Sequence, residues 1–198
     1  MNADRTHTSI QDSQSAGARR SRQSLEFEEF WRSLPKQALL PHRRDFNPAR
    51  AASLLRSVML IELRLGGNTS LPVRLVGSAI SERIQRDITA HDYLEFLPPE
   101  LRPGAIETAR LMLSHPCGLW QVTPLHYERG LAENYEMTAF PLLGEPVPFL
   151  IGVVIPRSEL VRPVSPGNRA VLAGTATEFE FLDVGAGIPA WPPDATAL

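Results

Sequence analysis

The sequence predicts an α+β domain in which a five-stranded antiparallel sheet carries its helices on one face, behind an amphipathic N-terminal helix. Three observations predict it. Residues 131–156 form a strand hairpin turning at Gly144, Glu145 and Pro146. Its first arm alternates Tyr135, Met137 and Ala139 with Glu136 and Thr138, the period of a half-buried strand. Its second arm, residues 149–155, is apolar throughout, as a strand in the middle of a sheet should be. Residues 57–65 and 73–77 are a second pair of β-rich runs, separated by the turn at Gly66, Gly67 and Asn68. Between the two pairs lies a stretch with helical spacing, so the element order is two strands, small helices, a long helix, then three strands.

Composition narrows the function classes. With 198 residues and 43% hydrophobic content, the chain can build one ordinary core and have residues left for tails. A formal net charge of -2 and a pI near 6.2 argue against a general nucleic-acid or acidic-membrane binder. No apolar run approaches the ~20 residues that span a bilayer. Residues 1–23 are almost wholly polar, without the basic-then-apolar pattern of a leader, so the expected location is the cytoplasm. The single cysteine, Cys117, excludes an internal disulfide and a cysteine-based zinc cage.

Taken in order, residues 1–23 have too little apolar surface to order themselves and are expected to be a disordered tail. Ser24 is the expected N-cap of a helix whose stripe of Leu25, Phe27, Phe30, Trp31 and Leu34 ends near Pro35. That stripe has two open ways of being buried: against its own sheet, or against the same helix of a second subunit. Asn47-Pro48 starts a second short helix, with Leu54 and Leu55 facing inward. The two strands of residues 57–77 follow, then short helices and loops over residues 78–97, stopped by Pro98-Pro99. The long helix spans about residues 100–114, with Ile106, Ala109, Leu111, Met112 and Leu113 as its apolar side; Pro103 is tolerated because it lies in the first turn. Residues 119–127 make the third strand, and the hairpin of residues 131–156 completes the sheet. Residues 157–198 are a C-terminal extension. Within it residues 177–182 alternate like a short strand, placed either on a sheet edge or over the domain, and residues 190–198 are expected to be disordered.

Read in this order, several short segments resemble the PAS superfamily, and within it the single-domain PAS group common in alphaproteobacteria. The likeness spans about residues 30–156. It rests on Phe30-Trp31, the strand end from Arg74 to Ser78, the segment from Arg86 to Thr89, and Glu136 to Leu142, an acidic residue followed by apolar residues and Pro-Leu. Phe181 to Gly187 is similar to the family's C-terminal phrase. Gln85 and Ala90 stand where family members often carry glycine, which alters backbone freedom beside the usual pocket.

The resemblance implies a non-enzymatic sensory or regulatory module that binds a small-molecule effector, a regulatory protein partner, or both. It implies a ligand held between the sheet and the small helices, and homodimerisation through the helix of residues 25–34. The pocket candidates are Tyr93, Phe96, Met112, Leu119, Met137 and Val153, with Arg74 as a carboxylate anchor; the alternative is that these side chains fill the core. Phe27, Phe30, Trp31, Leu34 and Trp120 are the interface candidates, Trp120 because it alternates to the face opposite Leu119. These would matter most to a second reading, a ligand-free adaptor. His91 and His115 raise a third, a haem-binding sensor. Cys117 lacks the Asn-Cys-Arg-Phe-Leu-type motif of flavin photoreceptors and is better accounted for as a small buried hydrophobe. No catalytic or metal motif is present, and alternation places Glu133 with Tyr135 and opposite Glu136, so the two carboxylates do not pair. The cofactor and effector are left unknown.

Overall fold

The computed structural model describes residues 19–157 and 164–190. Helix α1 (Arg22–Arg32) opens the domain, capped by Ser21, whose hydroxyl accepts the N–H of Ser24 at 3.2 Å. The expected cap, Ser24, is a turn too late. It is fully buried and its hydroxyl bonds that of Thr138 in the sheet. Residues 19–23 of the expected polar tail therefore belong to the folded domain: Arg20 pairs with Glu28 and Arg19 with Glu178. The rest of that tail, and the expected disordered end beyond Ala190, lie outside the described residues.

A two-residue hairpin, β1 (Lys36–Gln37) and β2 (Leu40–Pro41), leads into 3-10 turns at Arg43–Asp45, Pro48–Ala51 and Leu55–Ser57. Asn47 caps the second of these, accepting the Ala49 N–H at 3.0 Å, with Pro48 at the first position; the short helix expected here is a 3-10 turn. Next come β3 (Val58–Glu62), β4 (Val73–Val76), α2 (Ser78–Ile84) and a 3-10 turn at Tyr93–Phe96. A turn at Pro99–Leu101 runs into α3 (Arg102–Ser114). The remaining strands are β5 (Cys117–Tyr127), β6 (Ala132–Leu142), β7 (Phe149–Pro156), β8 (Ala170–Ala173) and β9 (Glu178–Asp183).

The main sheet runs β4-β3-β7-β6-β5, antiparallel throughout, with β8 and β9 both on the outer edge of β5. The apolar second arm of the hairpin, β7, lies in the middle as its composition requires. The sheet has seven strands rather than five. The eleven-residue β5 would otherwise present a row of unpaired backbone groups, and β9 covers Cys117 to Val122 while β8 covers Leu125 to Tyr127.

Helices cover both faces, not one. On one face α1 buries Phe27 and Trp31, and Leu34 just past its end, against Leu60, Trp120, Phe140, Ile151 and Val153. Fully burying each such side chain contributes about 1.5–3 kcal/mol. The Trp31 ring stacks on Phe140 at 4.7 Å and 19°, and a Cβ on Gly118 would meet that same Phe140 ring at 2.3 Å. Only a glycine leaves room for the stack. On the opposite face α2, the turn at Tyr93–Phe96 and α3 cover Met59, Ile61, Val73, Met137 and Val154. The stripe of α1 is thus buried against its own sheet.

Gln85, the C-cap of α2, and Ala90 hold φ of +54° and +68°. These are the two positions where glycine was expected, so the backbone keeps the left-handed turn while the residues do not suit it. A left-handed conformation costs a non-glycine residue roughly 1–2 kcal/mol. Glycine's greater freedom in the unfolded chain offsets roughly 0.5–1 kcal/mol of that. Ala90→Gly should therefore raise unfolding stability by about 0.5–1 kcal/mol, read as a higher urea midpoint with an unchanged slope.

Candidate functional site

Between the sheet and the α2–α3 side lies a cavity of two adjoining lobes. The larger, about 110 Å³, is bordered by Ile80, Ile84, Ile88, Phe96, Leu125 and Val154. The smaller, about 70 Å³, runs under α3 beside Ala105, Thr108, Ala109, Leu119 and Leu150. Met59, Tyr93, Gln121, Thr123, Met137 and Ala173 border both, and so form the waist. Arg86 stands on the rim of the larger lobe, its guanidinium 4.9 Å from the centre of the Phe96 ring.

The walls are apolar with a few neutral polar groups. The hydroxyls of Thr108 and Thr123 are buried with no hydrogen-bond partner among the described residues, although each can both donate and accept. Gln121 is 8% exposed, and its amide has no partner among the described residues. Burial pushes the Tyr93 phenol up to about 12, which keeps it protonated. Beyond the larger lobe, the Tyr127 and Tyr135 hydroxyls bond at 2.9 Å, Tyr135 donates to Glu133 at 3.3 Å, and Glu133 pairs with Arg83 of α2 at 3.1 Å. That chain ties α2 to β6.

Four of the seven expected pocket residues come together here: Tyr93, Phe96, Leu119 and Met137. Three do not. Met112 is fully buried in a cluster with Cys117, Ala139 and Phe181 behind the smaller lobe. Val153 points to the α1 face, and its neighbours Gly152 and Val154 border the cavity instead. A strand that is apolar on both faces gives no sign of which parity faces which layer. Arg74 lies outside the cavity on β4, where it holds the Glu62 carboxylate, first by hydrogen bond, below its usual range; Arg64 bonds the other oxygen. Gln121, Thr123 and Thr108 were missed because they are polar. The signals were present: Gln121 and Thr123 share the parity of Leu119, and Thr108 falls at i, i+3, i+4, i+7 with Ala105, Ala109 and Met112.

The interface candidates also move. Phe27, Trp31, Leu34 and Trp120 are buried in the chain's own core, and Phe30 is half-buried, edge-on to Phe46 at 5.8 Å. Trp120 does alternate away from Leu119, but that face is covered by α1. Cys117 is buried on β5 and borders neither lobe, and burial pushes its thiol up to about 11. Among the described residues no histidine borders the cavity: His91 faces Glu95 at 3.3 Å and His115 faces the Gly187 carbonyl at 3.1 Å. Among the described residues no group of three or more His, Cys, Asp or Glu side chains could hold a metal ion, and no helix is long and apolar enough to cross a membrane.

The opposite face carries a second polar constellation, at the N-terminus of α1. Glu136 is fully buried, and its carboxylate accepts the Ser21 N–H at 2.9 and 3.1 Å and the Trp120 indole N–H at 2.8 Å. Arg157 stands 3.7 Å away. At the other end, Arg32 donates to the Asp183 carbonyl at 2.6 Å. The Asp183 carboxylate accepts the N–H groups of Gly185 and then Gly187, which hold it below its usual range.

The family model of the PAS domain matches residues 19–154. The chain belongs to the PAS domain family. Comparison with curated proteins gives no match. Among solved structures, the subject of "Flavin Analogue Sheds Light on Light-Oxygen-Voltage Domain Mechanism" aligns at TM-score 0.43 and 16% identity, over 58% of this chain and 87% of its own. That likeness is too loose to bear on function. In this PAS domain the family-like segments Phe30-Trp31, Glu136 to Leu142 and Phe181 to Gly187 all meet at the docked helix.

Two outcomes follow from this geometry. Glu136→Ala strands two buried donors, so it should cost about 1.5–3 kcal/mol in urea unfolding. It should also speed amide hydrogen exchange across α1 while leaving α3 unchanged. Separately, the chain's three tyrosines, Tyr93, Tyr127 and Tyr135, are all raised above the usual phenol value of about 10, chiefly by burial. Above about pH 10 the unfolded chain therefore holds fewer protons than the folded one, and stability falls as pH rises. Absorbance at 295 nm should show no tyrosinate until the fold itself is lost.

Proposed function

We propose that this PAS domain protein is a non-enzymatic sensory module in signalling, which takes a small effector into the two-lobed cavity and acts through a regulatory protein partner. The observation that carries the reading is the alternation along β5 and β6. Gln121, Thr123, Met137 and Ala139 border the cavity, while Trp120, Glu136, Thr138 and Phe140, their neighbours in sequence, hold α1. A molecule that spreads the cavity wall displaces the same two strands that dock the helix. The stripe of Phe27, Trp31 and Leu34 is then the surface a partner takes up when α1 leaves. Leaving it bare in water costs about 1.5–3 kcal/mol per side chain, so release needs the partner as well as the effector. The adaptor reading gave the main part to Phe30, Trp31 and Trp120; in the docked state both tryptophans are core and Phe30 is half-buried.

The test is to compare the mass of the protein purified from its own host under native and denaturing conditions. The expected outcome is a stoichiometric extra mass that denaturation releases. Ala173 borders both lobes from the edge strand β8, so Ala173→Leu should fill the waist and abolish that extra mass with the fold retained. Bare subunits from wild type and variant alike would count against an effector.

A further inference from the structure

The effector's chemistry is written in the unpartnered groups of the cavity. Its two lobes are of the order of the ~150 Å³ cavity that accepts benzene, which suits one substituted ring or its equivalent. Among the described residues no Asp, Glu, Lys or His borders either lobe, and Arg86, which borders the larger, is exposed. A charge taken into these lobes would be desolvated without a counter-charge, at a cost no apolar contact offsets. Yet the lobes are not purely apolar. The buried hydroxyls of Thr108 and Thr123 have no partner among the described residues, and the Gln121 amide stands beside them at the waist. A buried hydroxyl left unmet carries its full desolvation penalty, which a ligand that meets it recovers. Gln121 and Thr123 lie at the waist, where the middle of a molecule spanning both lobes must pass.

We propose that the cavity selects a neutral, mostly apolar molecule of about one substituted ring that carries a single uncharged hydrogen-bonding group, a hydroxyl, carbonyl or carboxamide, held at the waist by Gln121 and Thr123. The proposal rests on the sensory reading of the same cavity and adds the class of effector.

Three probes of one shape separate the cases: p-xylene, p-cresol and p-toluate, titrated calorimetrically into the full chain. Water solvates p-cresol better than p-xylene, so a cavity without polar partners would bind p-xylene the more tightly. The expected order is the reverse, p-cresol at least tenfold tighter than p-xylene, with p-toluate not bound where p-cresol saturates. Thr123→Val keeps the side-chain shape and should bring p-cresol to within about threefold of p-xylene. Gln121→Leu should do the same or invert the order, its fold checked by an unchanged p-xylene affinity. If p-xylene binds as tightly as p-cresol, or p-toluate binds tightest, the class is wrong while the sensory reading stands. If p-cresol wins but neither variant changes the ratio, the assignment to the waist is wrong. If none of the three binds, both the class and the cavity as an effector site fall.

Discussion

Glu136 is the constraint on which the helix-bearing face depends. A carboxylate with no solvent exposure is tolerable only if donors are fixed around it, because charge removed from water without compensation is far costlier than any single contact in the fold. The donors are the backbone N–H of Ser21, at the start of α1, and the indole of Trp120 on the neighbouring strand. So the carboxylate fixes where α1 begins, and the Trp120 ring must lie under it. The Trp31–Phe140 stack and the Gly118 gap then set the distance at which the helix rides over the sheet. The N-cap of α1 satisfies a carboxylate buried more than a hundred residues later.

The opposite face follows another logic. There the packing is apolar and incomplete, and of the neutral polar groups that intrude the Thr108 and Thr123 hydroxyls are unmet among the described residues. A structural core would have met them or replaced them with apolar side chains of the same shape, which is close to neutral in energy. On one face of β5 and β6 the strands' own polar side chains Trp120, Glu136 and Thr138 are met, on the other the Thr123 hydroxyl is not, and the two faces share the same backbone. That asymmetry is what joins the cavity to the helix in a single device.

Much of the fold was legible in the sequence because it rests on local pattern. The alternation of Tyr135, Met137 and Ala139, the unbroken apolar run of β7, and the Asn47-Pro48 cap each depend on residues within a few positions of one another. The cavity was half legible. Aromatic and apolar side chains such as Tyr93, Phe96, Leu119 and Met137 carry a sign of burial in themselves. Gln121, Thr108 and Thr123 do not, since a polar residue announces exposure unless its parity or helical spacing is followed through. Val153 was misplaced for the complementary reason: both faces of its strand are buried.

What the sequence by itself determined is the five central strands and the longer helices, their order, and the family that this order marks. What only the tertiary structure decided is which surface each element covers. The stripe of α1 could satisfy its apolar side chains against a second chain as well as against its own sheet, and local periodicity is the same in both. The choice falls to groups distant in sequence: the Glu136 carboxylate, the Trp120 indole and the Phe140 ring. Likewise β8 and β9 join β5 because its outer edge is otherwise open, a property of the assembled sheet and not of any segment in it. Periodicity fixes which side chains must be buried, and long-range complementarity fixes what they are buried against.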